Sequence, residues 1–136
     1  MKQKFMRASR ARIEKFDWGE FAWISQPRAT GARELVVCHV VVYPGKGHNF
    51  HKHPRQEEVI YILEGKLEQW LKREKKVLGP GDSVFIPRNT VHASFNTSRV
   101  PAKVVAILGP CIGAGGYELV DVSGKSPWKN LRRNSS

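Results

Sequence analysis

An all-β chain folded as an antiparallel sandwich or barrel is what this sequence predicts, and three observations carry that reading. Runs of β-branched and aromatic residues recur along the chain and are broken every few residues by Gly, Pro, Asn and Asp. Between Leu35 and Val122 no segment carries the 3.6-residue apolar stripe of an amphipathic helix. With 136 residues the chain is one domain, and a domain of this size buries roughly two thirds of its unfolded surface, enough for a core without disulfide staples.

The predicted strands, in order, are Phe21 to Ile24, Leu35 to Tyr43, Glu57 to Leu63, Lys66 to Leu71, Lys76 to Leu78, Ser83 to Ile86, Val91 to Phe95, Ala102 to Leu108 and Tyr117 to Asp121. The breaks between them are Pro44-Gly45-Lys46-Gly47, Glu64-Gly65, Gly79-Pro80-Gly81-Asp82, Pro87-Arg88-Asn89, Asn96 to Pro101 and Gly113 to Gly116. Arg7 to Asp17 is the one stretch with weak helical character. The chain thus divides into a basic extension over 1–19, the barrel over 20–122, and a short basic tail over 123–136 that is expected to be mobile except where Trp128 docks.

The net charge of +11 belongs to the ends. Residues 1–15 hold six Lys/Arg against one Glu, residues 124–136 hold four against none, and the remainder holds 13 basic and 11 acidic residues. Terminal charge of this kind is usually solvated, so nucleic acid is an unlikely partner. No apolar run approaches the roughly 20 residues of a membrane span. The N-terminus is basic, but Arg10, Arg12, Glu14 and Lys15 stand where a signal peptide's apolar segment belongs. The expected location is the cytoplasm. Cys38 lies in an apolar run and reads as a small buried hydrophobe, Cys111 follows Gly109-Pro110 nearer a loop, and neither has the C-x-x-C spacing or neighbouring base of a reactive thiol.

The histidines carry the chemistry. In extended backbone residues i and i+2 share a face, so His51 and His53 can present both imidazoles to one point. Glu58 lies beyond the Pro54-Arg55-Gln56 bend, and His92 opens another strand after Pro87-Arg88-Asn89. Three imidazoles and one carboxylate converging inside a barrel would suit a first-row divalent ion such as Fe, Mn, Ni, Zn or Cu. On the residues alone, a loop pair and a hydrogen-bonded strand histidine remain the open alternative.

The glycines and prolines around these residues give the two stretches a likeness to a known family. Gly45, five residues, His51-x-His53, four residues, Glu58, six residues and Gly65 resemble the first sequence motif of the cupin superfamily. Gly81, five residues, Pro87-x-Asn89, two residues, His92, three residues and Asn96 resemble the second, departing only where Asn89 replaces Gly. Asn tolerates left-handed backbone best after Gly, so the turn is expected to survive. The motifs span residues 45–96, and the strand pattern extends the likeness over roughly 20–122.

The resemblance implies a small single-domain cupin: a double-stranded β-helix, or jelly roll, of two antiparallel sheets with His51, His53, Glu58 and His92 as ligands of one divalent transition metal. Glu57 competes for the carboxylate role, and Glu58 is preferred because six residues separate it from Gly65, as the family pattern asks. The implied function is a metal-dependent enzyme of dioxygenase, isomerase, decarboxylase or lyase type, acting on a small molecule. A non-catalytic binding or sensor cupin is the alternative. The general acid or base is not assignable among Gln69, Tyr43, Tyr61, Tyr117, His39 and His48. Edge strands and the aromatic cluster Phe16, Trp18, Phe21 and Trp23 add the expectation of a homodimer or of an arm packed on the barrel.

Overall fold

Strand alternation and turn chemistry lay out two sheets in a computed structural model that describes residues 2–132. After a short 3-10 turn at Ala8–Arg10, the elements are β1 (Arg12–Lys15), β2 (Gly19–Ser25), α1 (Pro27–Thr30), β3 (Val36–Val42), β4 (Gly47–Lys52) and β5 (Glu57–Glu64). Then follow β6 (Leu67–Leu71), β7 (Glu74–Leu78), β8 (Ser83–Ile86), β9 (His92–Phe95), β10 (Ala102–Gly109), β11 (Val120–Asp121) and α2 (Trp128–Leu131). One sheet has the order β1-β2-β3-β10-β5-β8, the other β11-β4-β9-β6-β7. All pairings between the named strands are antiparallel. This is the all-β double-stranded β-helix expected from the sequence.

Period-two burial places the core between the sheets. On β3 and β10 every second residue is buried, and with Phe21, Trp23, Ile60, Ile62, Leu67 and Ile86 these residues form the main cluster. The same alternation settles the phase of β5: Glu58, Ile60 and Ile62 point inward while Glu57, Val59, Tyr61 and Leu63 are exposed. Two turns require left-handed backbone, one of them as the sequence reading expects. Asn89 has φ 57, so Asn does take the left-handed position. Gly65 has φ 76, and a Cβ there would lie 2.8 Å from the Pro101 carbonyl oxygen, which excludes other residues on both counts.

The N-terminal end differs from expectation. Arg12–Lys15, inside the weakly helical stretch, form a strand paired with β2 from Arg12↔Trp23 to Lys15↔Glu20. The pairing is held from the side as well: the Trp23 indole donates to Glu14 at 3.2 Å, and the Arg12 guanidinium lies 5.7 Å from the Trp23 ring. Tertiary pairing has overridden a weak local preference.

Beyond Ser123 the segment docks through Trp128, Leu131 and Arg132, while residues 124–127, 129 and 130 are exposed. Trp128 lies 5.5 Å from the Phe50 ring, and Arg132 sits 3.8 Å over Phe95 while pairing with Glu68 at 2.7 Å. Phe50, Trp70, Ala93, Phe95 and Val122 make a second cluster, against which Trp128 and Leu131 pack. The mobility expectation for residues 133–136 lies outside the described residues. Among the described residues, no helix is long and apolar enough to cross a membrane.

Candidate metal centre

Three strands and one bend deliver the donors to a single point between the sheets. His51 lies on β4, His53 just beyond it, Glu58 at the start of β5, and His92 opens β9 directly opposite His51. All four are buried. One donor nitrogen from each of His51, His53 and His92 lies within 4.8 Å of the others. Glu58 Oε1 lies 3.0 Å from His92 Nε2 and 3.3 Å from His53 Nε2. The structure therefore brings together all four residues singled out in the sequence, while Glu57 faces outward.

Backbone carbonyls fix the imidazole tautomers. His51 Nδ1 lies 2.7 Å from the Asn49 oxygen, His53 Nδ1 2.7 Å from that of Glu118, and His92 Nδ1 2.9 Å from that of Thr90. A carbonyl oxygen only accepts, so each Nδ1 carries the hydrogen and each neutral ring turns its Nε2 lone pair inward. His92 Nε2 and Glu58 Oε1 are then two buried acceptors face to face, with no hydrogen-bond partner for either. Buried lone pairs in such contact need a shared cation or an added proton. At 3.0 Å the two atoms are close enough to share one ion. The donor set fits a divalent metal.

The electrostatics favour a positive charge at this point. Burial opposes the Glu58 carboxylate, but the His53 and His92 rings beside it outweigh that and hold the pKa down to about 2. Burial also opposes an imidazolium at His53; the Glu58 carboxylate and the Glu118 carbonyl outweigh it and raise the pKa. His51 is pushed well below the ordinary value by burial and then by its imidazole neighbours. Clusters of perturbed groups of this kind mark functional sites.

A cavity of about 50 Å³ surrounds the donors, walled by Trp18, Phe21, Trp23, His48, Tyr117 and the aliphatic residues of β3 and β10. It shares Trp18, Phe21, His48, His51 and Tyr117 with an outer basin of about 870 Å³ that also touches Lys46, Phe95, Asn96, Asp121 and Arg132. Sequence reasoning left Trp18 outside the site and did not assign His48 or Tyr117. Tyr117 stays protonated, its pKa pushed up to about 12 by burial and the Glu14 carboxylate. His48 is held neutral, its pKa lowered to about 3 by burial and then by His92.

The other residues weighed in the sequence do not join the donors. Tyr61 faces solvent, and the Gln69 amide oxygen accepts from Ser94 at 2.6 Å. Burial and the Glu58 charge push the Cys38 thiol far up, so it is no nucleophile.

The family described as "Cupin domain" matches residues 38–108, just over half of the chain. The chain belongs to the cupin family. It is 32% identical to protein SchB of Streptomyces halstedii over 113 residues, covering 77% of this cupin and 82% of SchB. It is 30% identical to the tetracenomycin polyketide synthase protein TcmJ of Streptomyces glaucescens over 84 residues, 62% of the cupin. There it spans only 56% of the relative's length. The fold matches that of the polyketide cyclase RemF from Streptomyces resistomycificus with a TM-score of 0.73, 18% identity and coverage of 95% and 98% of the two chains.

Proposed function

We propose that this cupin is a divalent-metal-dependent enzyme acting on a small, planar, oxygenated organic molecule, with His51, His53, Glu58 and His92 holding the ion. One observation carries the reading: His92 Nε2 faces Glu58 Oε1 at 3.0 Å with neither atom hydrogen-bonded. Fe, Mn, Ni, Zn and Cu all accept this nitrogen and oxygen set. When bound, such an ion supplies Lewis acidity to a substrate oxygen or a place for oxygen chemistry.

The chain's own residues do the rest. Val40, Val104, Ala106 and Leu108 line the chamber and keep it apolar. Trp18, Phe21 and Tyr117 stand at the junction of chamber and basin, where aromatic faces favour a flat conjugated ring. The Tyr117 phenol, kept protonated, is available to donate a hydrogen bond to a substrate oxygen. Likeness to TcmJ and RemF, whose names connect them with polyketides, supports a phenolic or ketide substrate.

The test is metal analysis of protein purified without an affinity tag, followed by oxygen uptake and turnover of a phenol and polyketide panel. Near-stoichiometric metal that disappears in His92→Ala, together with turnover, is the expected result. Metal without turnover of any member would move the protein to the binding or sensor class. Absence of metal from protein refolded with each ion in turn would refute the centre itself.

A further inference from the structure

The His51 ring has one in-plane tie, Nδ1–H to the Asn49 carbonyl at 2.7 Å, and a single hydrogen bond leaves an imidazole free to rock about its axis. What covers its face is the ring of His48, 3.7 Å away and within 14° of parallel. His48 in turn lies under Trp18 at 4.5 Å and 15°. The other ligand rings meet His51 edgewise, His53 at 79° and His92 at 60°. Among the described residues no hydrogen bond reaches the His48 ring, so stacking is what this side chain contributes.

The backbone is bent to make that stack. Residues three apart on a regular strand face opposite sides. On β4 the pairs His48↔Ser94 and His51↔His92 enclose three steps against two on β9, which is a bulge. The Asn49 side chain accepts from the Phe50 N–H at 2.8 Å, Phe50 turns out to the second cluster, and His48 and His51 come to the same side. Trp18 comes from the β1–β2 turn, outside the matched segment 38–108, and is anchored where its carbonyl accepts from the Tyr43 N–H at 3.0 Å.

We propose that His48 and Trp18 are positioning residues for the metal centre: their stack fixes the plane of the His51 ring and hence the direction of its Nε2 lone pair. The inference rests on the reading of His51 as a ligand. Residues that orient a ligand typically cost about 10- to 100-fold in metal affinity when removed.

The test is Co(II) titration of metal-free protein, followed by the visible d–d absorption, for wild type, His48→Ala, His48→Phe and Trp18→Leu. His48→Ala is expected to weaken Co(II) about 10-fold and to shift the d–d envelope. His48→Phe, which keeps a ring in the stack, should restore the wild-type spectrum and most of the affinity. Trp18→Leu should shift the spectrum in the same direction as His48→Ala. An unchanged spectrum in His48→Ala, or a His48→Phe protein as impaired as His48→Ala, overturns the proposal. If His48→Ala does not fold, wild-type behaviour in Trp18→Leu overturns it and the spectral shift in Trp18→Leu supports it. Failure of the wild type itself to take up Co(II) sinks the metal reading along with it, whereas uptake by wild type with indifferent variants sinks the stack alone.

Discussion

Replacing Trp128 by Ala separates a docked C-terminal segment from a solvated one, and the expected size of the effect can be worked from the contacts. The Trp128 ring is half-buried against Phe50 at 5.5 Å and belongs to the cluster on the outer face of β4, β9 and β6. A Trp buries about 150–250 Å² when enclosed. Half of that, at about 25 cal/mol per Å², gives roughly 2–3 kcal/mol, and the extended-chain reference brings it nearer to about 2 kcal/mol.

Unfolding entropy near 2.1 cal/mol/K per residue over 136 residues makes each kcal/mol worth about 3.5 °C in Tm. Trp128→Ala is therefore expected to lower Tm by about 7 °C. The assay is thermal melting by circular dichroism in excess chelator, because bound metal would add its own stabilisation. A change below about 1 °C would mean that the segment contributes nothing and would refute the docking argument.

Three further outcomes are expected. His51→Ala, His53→Ala, Glu58→Ala and His92→Ala should each lose metal occupancy by elemental analysis while the exposed Glu57→Ala keeps it; the reverse pattern for the two glutamates would refute the inward phase of β5. At Glu68, burial opposes the carboxylate and the Arg132 and Trp70 hydrogen bonds outweigh it, so the folded pKa is lowered; the stabilisation is present above the ordinary value of 4.5 and is lost as pH falls through the folded pKa. The Tm difference between wild type and Glu68→Gln should accordingly shrink in acid, and a difference that grew would contradict the pairing with Arg132. Binding to double-stranded DNA should be weak and collapse between about 50 and 200 mM salt, as counterion release from terminal Lys/Arg demands; a sequence-selective complex surviving that range would argue for a regulatory role.

The parts of this molecule legible in its sequence are those where a local pattern has one physical meaning. Strands β3, β5, β8 and β10 announce themselves as runs of β-branched and aromatic residues, and the motif spacings place Glu58 rather than Glu57 toward the histidines. β4 was harder to read because Gly47-His48-Asn49-Phe50-His51-Lys52 is mostly polar; its strand character comes from pairing with β9 and from the residues it must aim. His48 could not be assigned because its side depends on a bulge, and bulges leave no periodic trace. An i, i+3 pair of histidines around an Asn is a signal only in hindsight. Trp18 was invisible as a site residue for a different reason: it reaches the centre through the fold of a hairpin remote in sequence, and β1 itself forms only because β2 offers it an edge.

The docked C-terminal segment leaves the two faces of the molecule unequal as surfaces for other molecules. One outer face is already occupied by the chain's own Trp128, Leu131 and Arg132. The opposite one presents Val59, Tyr61, Leu63 and Phe85 to solvent, from 36% to 52% exposed, on neighbouring strands β5 and β8. The apolar surface around Phe50 and Phe95 is thus covered from within the chain, whereas that of β5 and β8 is open to water.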